Sequence, residues 1–252
     1  MKLTVVGCSG SFPGPDAPAS CYLLEHDHGG RTWRVLVDLG NGALGALQRY
    51  VDPLTVDAVL LSHLHADHCL DLCGFYVLRK YHPTGPQPRI PVWGPHGTAV
   101  RMAKAYDLDE DPGMSEEFDF RLYPEVLELG PFTVTPVRVN HPVEAYGLRV
   151  EEGSTVLAYT GDTDSCDALE SLCRKADVLL ADAAFVDGRD DTAGIHLSGR
   201  RAAEAALSAG GVQRLVLTHL PPWNDPHVAV AQAREVWEGP LDVAAPGRVF
   251  DL

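Results

Sequence analysis

Residues 62–68 read Ser-His-Leu-His-Ala-Asp-His, so three histidines and an aspartate crowd into one short stretch of a chain with 11 histidines in 252 residues. Imidazoles held that close repel one another once protonated, and they fill a core poorly. A patch of surface histidines leaves the crowding without a reason, whereas a metal ion supplies one. Neutral imidazole nitrogens and a carboxylate are the donors that zinc-type coordination uses, with positions left open for water. In an extended segment residues i and i+2 point the same way, so His63 and His65 can grip one ion. A turn into a helix then lets Asp67 and His68 face a second ion. Two such ions clamp a displacement, one favouring attack and the other stabilising charge on phosphoryl or acyl oxygens.

More metal-type donors stand where β-rich runs end: His141 after "TPVRVN", Asp162 after "TVLAYTG" and His219 after "RLVLT". Ligands in α/β proteins collect at strand ends, where loops vary over a rigid base. The elements behind these ends follow from the apolar pattern. "KLTVVG", "CYLLEH", "WRVLVDLG", "VDAVLLS" and "IPVWG" predict strands, the fourth fully buried. "NGALGALQRY", "CLDLCGFYVLRKYH" and "GTAVRMAKAYDL" predict helices. Two hairpins follow, turning at Gly-Pro in "VLELGPFTVTPVRV" and within "YGLRVEEGSTVLAYTG". The last third alternates helix "CDALESLCRKA", strand "DVLLAD", helix "SGRRAAEAALSAG", strand "RLVLTH" and helix "HVAVAQAREVWE". "HPTGPQPRIP" and "YDLDEDPGMSEE" read as loops. Nothing suggests a linker, so one α/β domain over residues 1–252 is expected.

The formal net charge of −15, from 20 basic against 35 acidic residues, opposes binding to long nucleic acid. No apolar run is long enough to span a membrane, and the start "MKLTVVGCSG" reads as a strand rather than a secretory signal. The six cysteines show no Cys-x-x-Cys pair, so reduced thiols and a cytoplasmic location are expected.

With these residues in view, the chain resembles the metallo-β-lactamase fold, whose signature is His-x-His-x-Asp-His. "VLVDLG" is similar to the early strand whose aspartate, Asp38, supports the site from behind the ligands. "SHLHADH", "VNHPVEAYG", "AYTGDT" and "LVLTH" match the remaining motifs. The resemblance implies a four-layer αββα sandwich of two mixed sheets flanked by helices. It also implies two divalent metal ions, zinc with manganese or iron as alternatives. His63, His65 and His141 would hold one, Asp67, His68 and His219 the other, and Asp162 would bridge them. Within the superfamily the chain is similar to the phosphodiesterase branch that includes the tRNA 3′-processing ribonucleases. The opening "VVGCSGSFPGP", the strand end "LLADAAF" and the helix start "GIHLSGRRAAEAA" carry that likeness. It makes Asp67, His196 and Asp182 the catalytic residues, with the acidic residue orienting the histidine and the histidine protonating the leaving oxygen. Aspartate stands where glutamate is usual in that branch, which shortens the reach to His196 by one methylene.

The tRNA-processing enzymes usually insert an arm between the third-histidine motif and the bridging aspartate, but here residues 141 and 162 are only 21 positions apart. Two divalent ions, two ligand aspartates and one hydroxide leave a single positive charge, which complements a singly charged diester. The chain also looks like actinobacterial metallo-β-lactamase-fold proteins with cyclic-nucleotide phosphodiesterase activity. The expectation is therefore a bacterial hydrolase of 3′,5′-cyclic nucleotides, cyclic AMP foremost, yielding 5′-monophosphates. Its partner would be a small phosphodiester, with no long nucleic acid and no membrane, and a homodimer would suit the related branch. The alternatives are an RNA 3′-end endonuclease and another small-ester hydrolase. Trp223, in "HLPPWNDP", is expected to anchor the Pro-Pro turn from inside rather than stack on a base. The amides of "GCSGS" could cradle a phosphate or merely form a tight turn. His26, His28, His82, His96 and His227 are expected to face solvent.

Overall fold

The computed structural model describes residues 1–252. Its first sheet is built from β1 (Lys2–Gly7), β2 (Cys21–His28), β3 (Arg31–Val37), β4 (Ala58–Leu60), β5 (Ile90–Gly94) and β6 (Phe118–Leu122), with α1 (Ala43–Leu47), α2 (Ala66–Cys69), α3 (Leu72–Lys80) and α4 (Thr98–Ala105) between them. The second contains β7 (Leu127–Leu129), β8 (Phe132–Arg138), β9 (Tyr146–Glu152), β10 (Thr155–Tyr159), β11 (Val178–Asp182), β12 (Leu215–Thr218) and β13 (Leu241–Val243), with α5 (Ala168–Cys173), α6 (Gly199–Ser208) and α7 (Pro226–Arg234). The last strand, β14 (Val249–Asp251), returns to pair with β1, so the sheet orders are β14-β1-β2-β3-β4-β5-β6 and β13-β12-β11-β10-β9-β8-β7.

Each sheet begins with antiparallel strands and continues with parallel ones: β3 to β6 run parallel in the first, and β10 to β13 in the second. Alternation along the strands explains the layering. In β1 to β4, Leu3, Val5, Tyr22, Leu24, Val35, Val37 and Leu60 face the second sheet. Val6, Leu23, Leu36 and Val59 turn the other way, onto α1 to α4. In β11 and β12, Leu180 and Val216 face inward, while Leu179, Leu215 and Leu217 pack beneath α5 to α7. Strands buried on both faces read as unbroken apolar runs, which is why "VDAVLLS" and "DVLLAD" lack polar alternation. The result is the expected αββα sandwich of two mixed sheets.

The acidic run after α4 is loop, as expected, and β6, for which the sequence predicts no element, follows it at once. Its sequence, "FDFRL", sits at a sheet edge with Leu122 exposed, so half-polar alternation replaces the apolar run. The three-residue β13 and β14 are too short to show a period of two. No helix is long and apolar enough to cross a membrane.

Candidate metal centre

The parallel strands of both sheets, together with the antiparallel β8, deliver their C-terminal ends to one place. Asp38 follows β3, His63 to His68 follow β4, His141 follows β8, Asp162 follows β10, Asp182 ends β11 and His219 follows β12. These side chains converge into three groups of possible ligand atoms: His63, His65, His141 and Asp162; Asp67, His68, Asp162 and His219; and Asp162, Asp182 and His196. The first two groups are the two ligand sets expected from the sequence, and Asp162 belongs to both.

Their spacing suits metal ions. His63 Nε2 lies 3.0 Å from His65 Nδ1, which lies 3.3 Å from His141 Nε2. On the other side, His68 Nε2 stands 3.2 Å from Asp162 Oδ1 and 3.5 Å from Asp67 Oδ2. His219 Nε2 is 3.3 Å from Asp162 Oδ2 and 3.7 Å from Asp67 Oδ2. Donors bound tetrahedrally at about 2.0–2.1 Å are separated by about 3.3 Å, so these gaps are the edges of coordination polyhedra. A further sign is that His68 Nε2, His219 Nε2 and Asp162 Oδ1 are buried without any hydrogen-bond partner. Such orphans cost roughly 1–3 kcal/mol each unless something else satisfies them. Three of them aimed at one another fit a cation. The donor set, nitrogen and carboxylate oxygen, fits zinc, manganese or iron.

The opposite ring nitrogens are held from behind. Asp38, fully buried at the end of β3, accepts hydrogen bonds from the Ser62 amide (2.7 Å), the Ser62 hydroxyl (2.8 Å), His68 Nδ1 (2.7 Å) and the Tyr159 hydroxyl (2.8 Å). His141 Nδ1 donates to the Ile195 carbonyl at 2.9 Å, and His219 Nδ1 meets the Ser20 hydroxyl at 3.1 Å. Each contact reserves the other nitrogen for a ligand role. Asp38 and His219 also take left-handed backbone angles, φ 59° and 60°, a conformation that costs non-glycine residues about 1 kcal/mol or more and clusters at working sites. Ser20 and the Ile195 carbonyl carry no motif and were not foreseen; no local pattern marks them.

Burial, with the neighbouring imidazoles, pulls His63 well below its usual range, and burial likewise lowers His65, His141 and His219. These histidines are therefore neutral, the form that binds metal. His68 goes the other way: against burial, Asp162 and Asp38 push it well above the ordinary histidine value. Asp162 is held well below the carboxylate range, against burial, by His219, His68 and His63.

Beside the cluster His196 Nδ1 meets Asp182 Oδ2 at 2.8 Å, so the shorter aspartate does reach. Asp182 is pinned in turn by the Thr163 and Ala184 amides. Against burial, the Asp182 carboxylate raises His196 to about 9. The His196 ring lies 5.6 Å from the ring of His141 and 5.3 Å from that of His219, between the two ligand sets.

The expectation for Trp223 changes. Trp223 is 64% exposed and packs against Phe12, ring centroids 4.9 Å apart, so it is not an inner anchor. The Pro-Pro turn is tied instead by the Asn224 side chain, which donates to the Ala184 carbonyl at 2.7 Å and frees the indole to stand outside. In the first loop, a Cβ on Gly10 would come within 2.1 Å of the His219 carbonyl, and the Gly10 amide already donates to the Leu220 carbonyl. The Cys8 and Ser9 amides donate to Pro18. Close packing, not a phosphate cradle, accounts for these residues. Among the other histidines, His26 is half-buried against Phe132 and near Glu152, while His96 is exposed and paired with Glu144.

A sequence model described as "Beta-lactamase superfamily domain" matches residues 33–220. An uncharacterized protein of Mycobacterium leprae is 44% identical, covering 100% of this chain and 89% of its own. The probable metallo-hydrolase YhfI of Bacillus subtilis is 30% identical over the full length of both chains. The crystal structure of YhfI superposes with a TM-score of 0.86, at 28% identity and 99% coverage of each chain. A ribonuclease Z of Myxococcus xanthus is 29% identical, covering 100% of this chain and 98% of its own.

Proposed function

Since the chain belongs to the beta-lactamase superfamily and is a metal-dependent hydrolase with a histidine–aspartate cluster able to hold metal, we propose that it is a dinuclear phosphodiesterase. Its substrates in this reading are 3′,5′-cyclic nucleotides, cyclic AMP foremost, and its products 5′-monophosphates. One observation carries the reading: the His196–Asp182 pair, hydrogen bonded at 2.8 Å, stands between the two ligand sets. A proton donor in that place serves an alkoxide leaving group. Ester and lactone hydrolysis also expel an alkoxide, so the choice of a phosphodiester rests in addition on the likeness to a ribonuclease Z.

In this reading His63, His65 and His141 would hold one ion and Asp67, His68 and His219 the other, with Asp162 belonging to both groups. Bound there, two divalent ions would lower the pKa of water toward ~7 and offset charge on the phosphoryl oxygens. The protein's own groups do the rest. His65 and His141 are the more exposed ligands, so the diester enters from their side. Asp182 keeps His196 protonated at neutral pH, and its hold on Nδ1 leaves Nε2 to give a proton to the departing 3′-oxygen.

The scale of the substrate follows from what surrounds the site. The β9–β10 hairpin, turning at Gly153, fills the whole interval between His141 and Asp162, so no arm projects to hold an RNA body. The net charge of −15 opposes a long polyanion. The exposed pair of Phe12 and Trp223, the latter four residues beyond His219, offers a face on which a planar base can stack. The likeness to a ribonuclease Z keeps RNA ends as the second reading.

Metal-loaded protein incubated with 3′,5′-cyclic AMP, with Asp67→Ala as control, tests the proposal. Appearance of 5′-AMP only with the intact protein supports it. Survival of cyclic AMP while an RNA 3′ extension is trimmed refutes it in favour of the second reading.

A further inference from the structure

We propose that Asp164 and Arg201 form a positioning clamp that sets His196 over the cluster and thereby governs release of poorly leaving oxygens; the inference rests on His196 acting as the acid. Asp182 holds one atom of the ring. It does not fix the backbone from which the ring hangs, which arrives by a surface loop running from Asp187 to Gly194.

Asp164 supplies that fixation. Its Oδ2 accepts the Gly194 amide at 2.7 Å, two residues before His196. Its Oδ1 accepts the Ser165 amide and Arg201 Nη1, each at 2.7 Å. The same Nη1 also donates to the His196 carbonyl at 3.0 Å. The loop is thus gripped on both sides of the histidine by one carboxylate and one guanidinium. Arg201 lies in the first turn of α6, whose N-cap Ser198 accepts its amide, so the guanidinium springs from a rigid base. Its carbon stands 5.9 Å over the Phe185 ring, which packs edge-on against His196 at 5.1 Å.

The clamp also registers the histidine against the ligands. Asp164 is two residues beyond Asp162, and its amide donates to the Asn140 carbonyl at 2.9 Å, beside His141. Three segments that must meet at the reacting phosphorus therefore share one residue, through its side chain on the His196 loop and its amide beside His141. A displacement of about 1 Å in such a group costs roughly 100-fold in rate. Neither residue touches substrate in this scheme; both act through His196.

Arg201→Ala and Asp164→Asn, each loaded with metal, test the clamp on two substrates. Bis(4-nitrophenyl) phosphate releases a phenolate that needs no proton. Cyclic AMP, or an RNA dinucleotide if the wild type spares cyclic AMP, releases an alkoxide that does. Both variants should lose about 10- to 100-fold in kcat on the alkoxide substrate and less than about threefold on the nitrophenyl one, with metal content kept. Adding Arg201→Ala to His196→Ala should cost nothing more on the alkoxide substrate, and Arg201→Lys should restore part of the loss. Equal losses on both substrates, or an additive double variant, overturn the clamp. If His196→Ala itself shows no preference between the substrates, the acid role fails and the clamp with it. If His196→Ala shows the preference and Arg201→Ala does not, the clamp alone fails.

Discussion

Asp38→Asn tests how far the metal ligands depend on the buried network behind them. Three donors converge on one carboxylate oxygen, Oδ2: the Ser62 hydroxyl, His68 Nδ1 and the Tyr159 hydroxyl. The other oxygen takes only the Ser62 amide. Asparagine keeps the shape and, with its carbonyl toward the three donors, turns its own NH2 group toward the Ser62 N–H. One buried amide is then left without an acceptor, at a cost of about 1–3 kcal/mol in stability. The negative charge that orients His68 is also gone, and outer partners of this kind are worth 10- to 100-fold in metal affinity, about 1.4–2.8 kcal/mol. Competition with a chromophoric chelator measures the affinity, and thermal melts in excess EDTA measure the stability without metal. Tyr159→Phe is the control: it removes one donor, leaves the Asp38–His68 bond intact, and should change affinity less than about threefold while costing about 1 kcal/mol in stability. If Asp38→Asn binds both ions as tightly as the wild type, Asp38 supports the fold and not the ligands, and the reasoning fails.

The remaining predictions concern protons, the aromatic pair and the ions. In the proposed mechanism His196 acts in its protonated form, so activity on an alkoxide substrate should fall as pH rises through its pKa, which Asp182 raises to about 9. Asp182→Asn removes the group that raises it, so that falling limb in kcat should move toward the imidazole value of ~6.5; an unmoved limb would show that another group titrates there. Trp223→Ala should raise KM for cyclic AMP about five- to 150-fold, since stacking on an aromatic is worth about 1–3 kcal/mol, with kcat and the rate on bis(4-nitrophenyl) phosphate much less changed. Isothermal titration would expose the opposite result. Metal should raise the melting temperature, with about 2.7 kcal/mol of stabilisation at 100 Kd. That gain should shrink as pH falls, because a proton on His68 competes with the ion.

The sequence by itself determined whatever short-range geometry governs. The i, i+2 pair His63 and His65 and the helical turn carrying Asp67 and His68 lie within six residues, so spacing alone fixes their relative directions. Strand ends were legible for the same reason, because an apolar run buried on both faces stops where polar ligands begin. Short edge strands were not: β13 and β14 span three residues each, too few to show a period, and β6 hid behind an acidic run. Only the tertiary structure decided what stands behind the ligands. Ser20 reaches His219 from 199 positions away, and the Ile195 carbonyl reaches His141 from 54 away. No local pattern encodes such contacts, because a serine hydroxyl and a main-chain carbonyl look like thousands of others until two sheets pack. The exposure of Trp223 and the grip of Asp164 and Arg201 on the His196 loop belong to the same class. They depend on where three loops meet, and loops that meet across a sandwich share no sequence period.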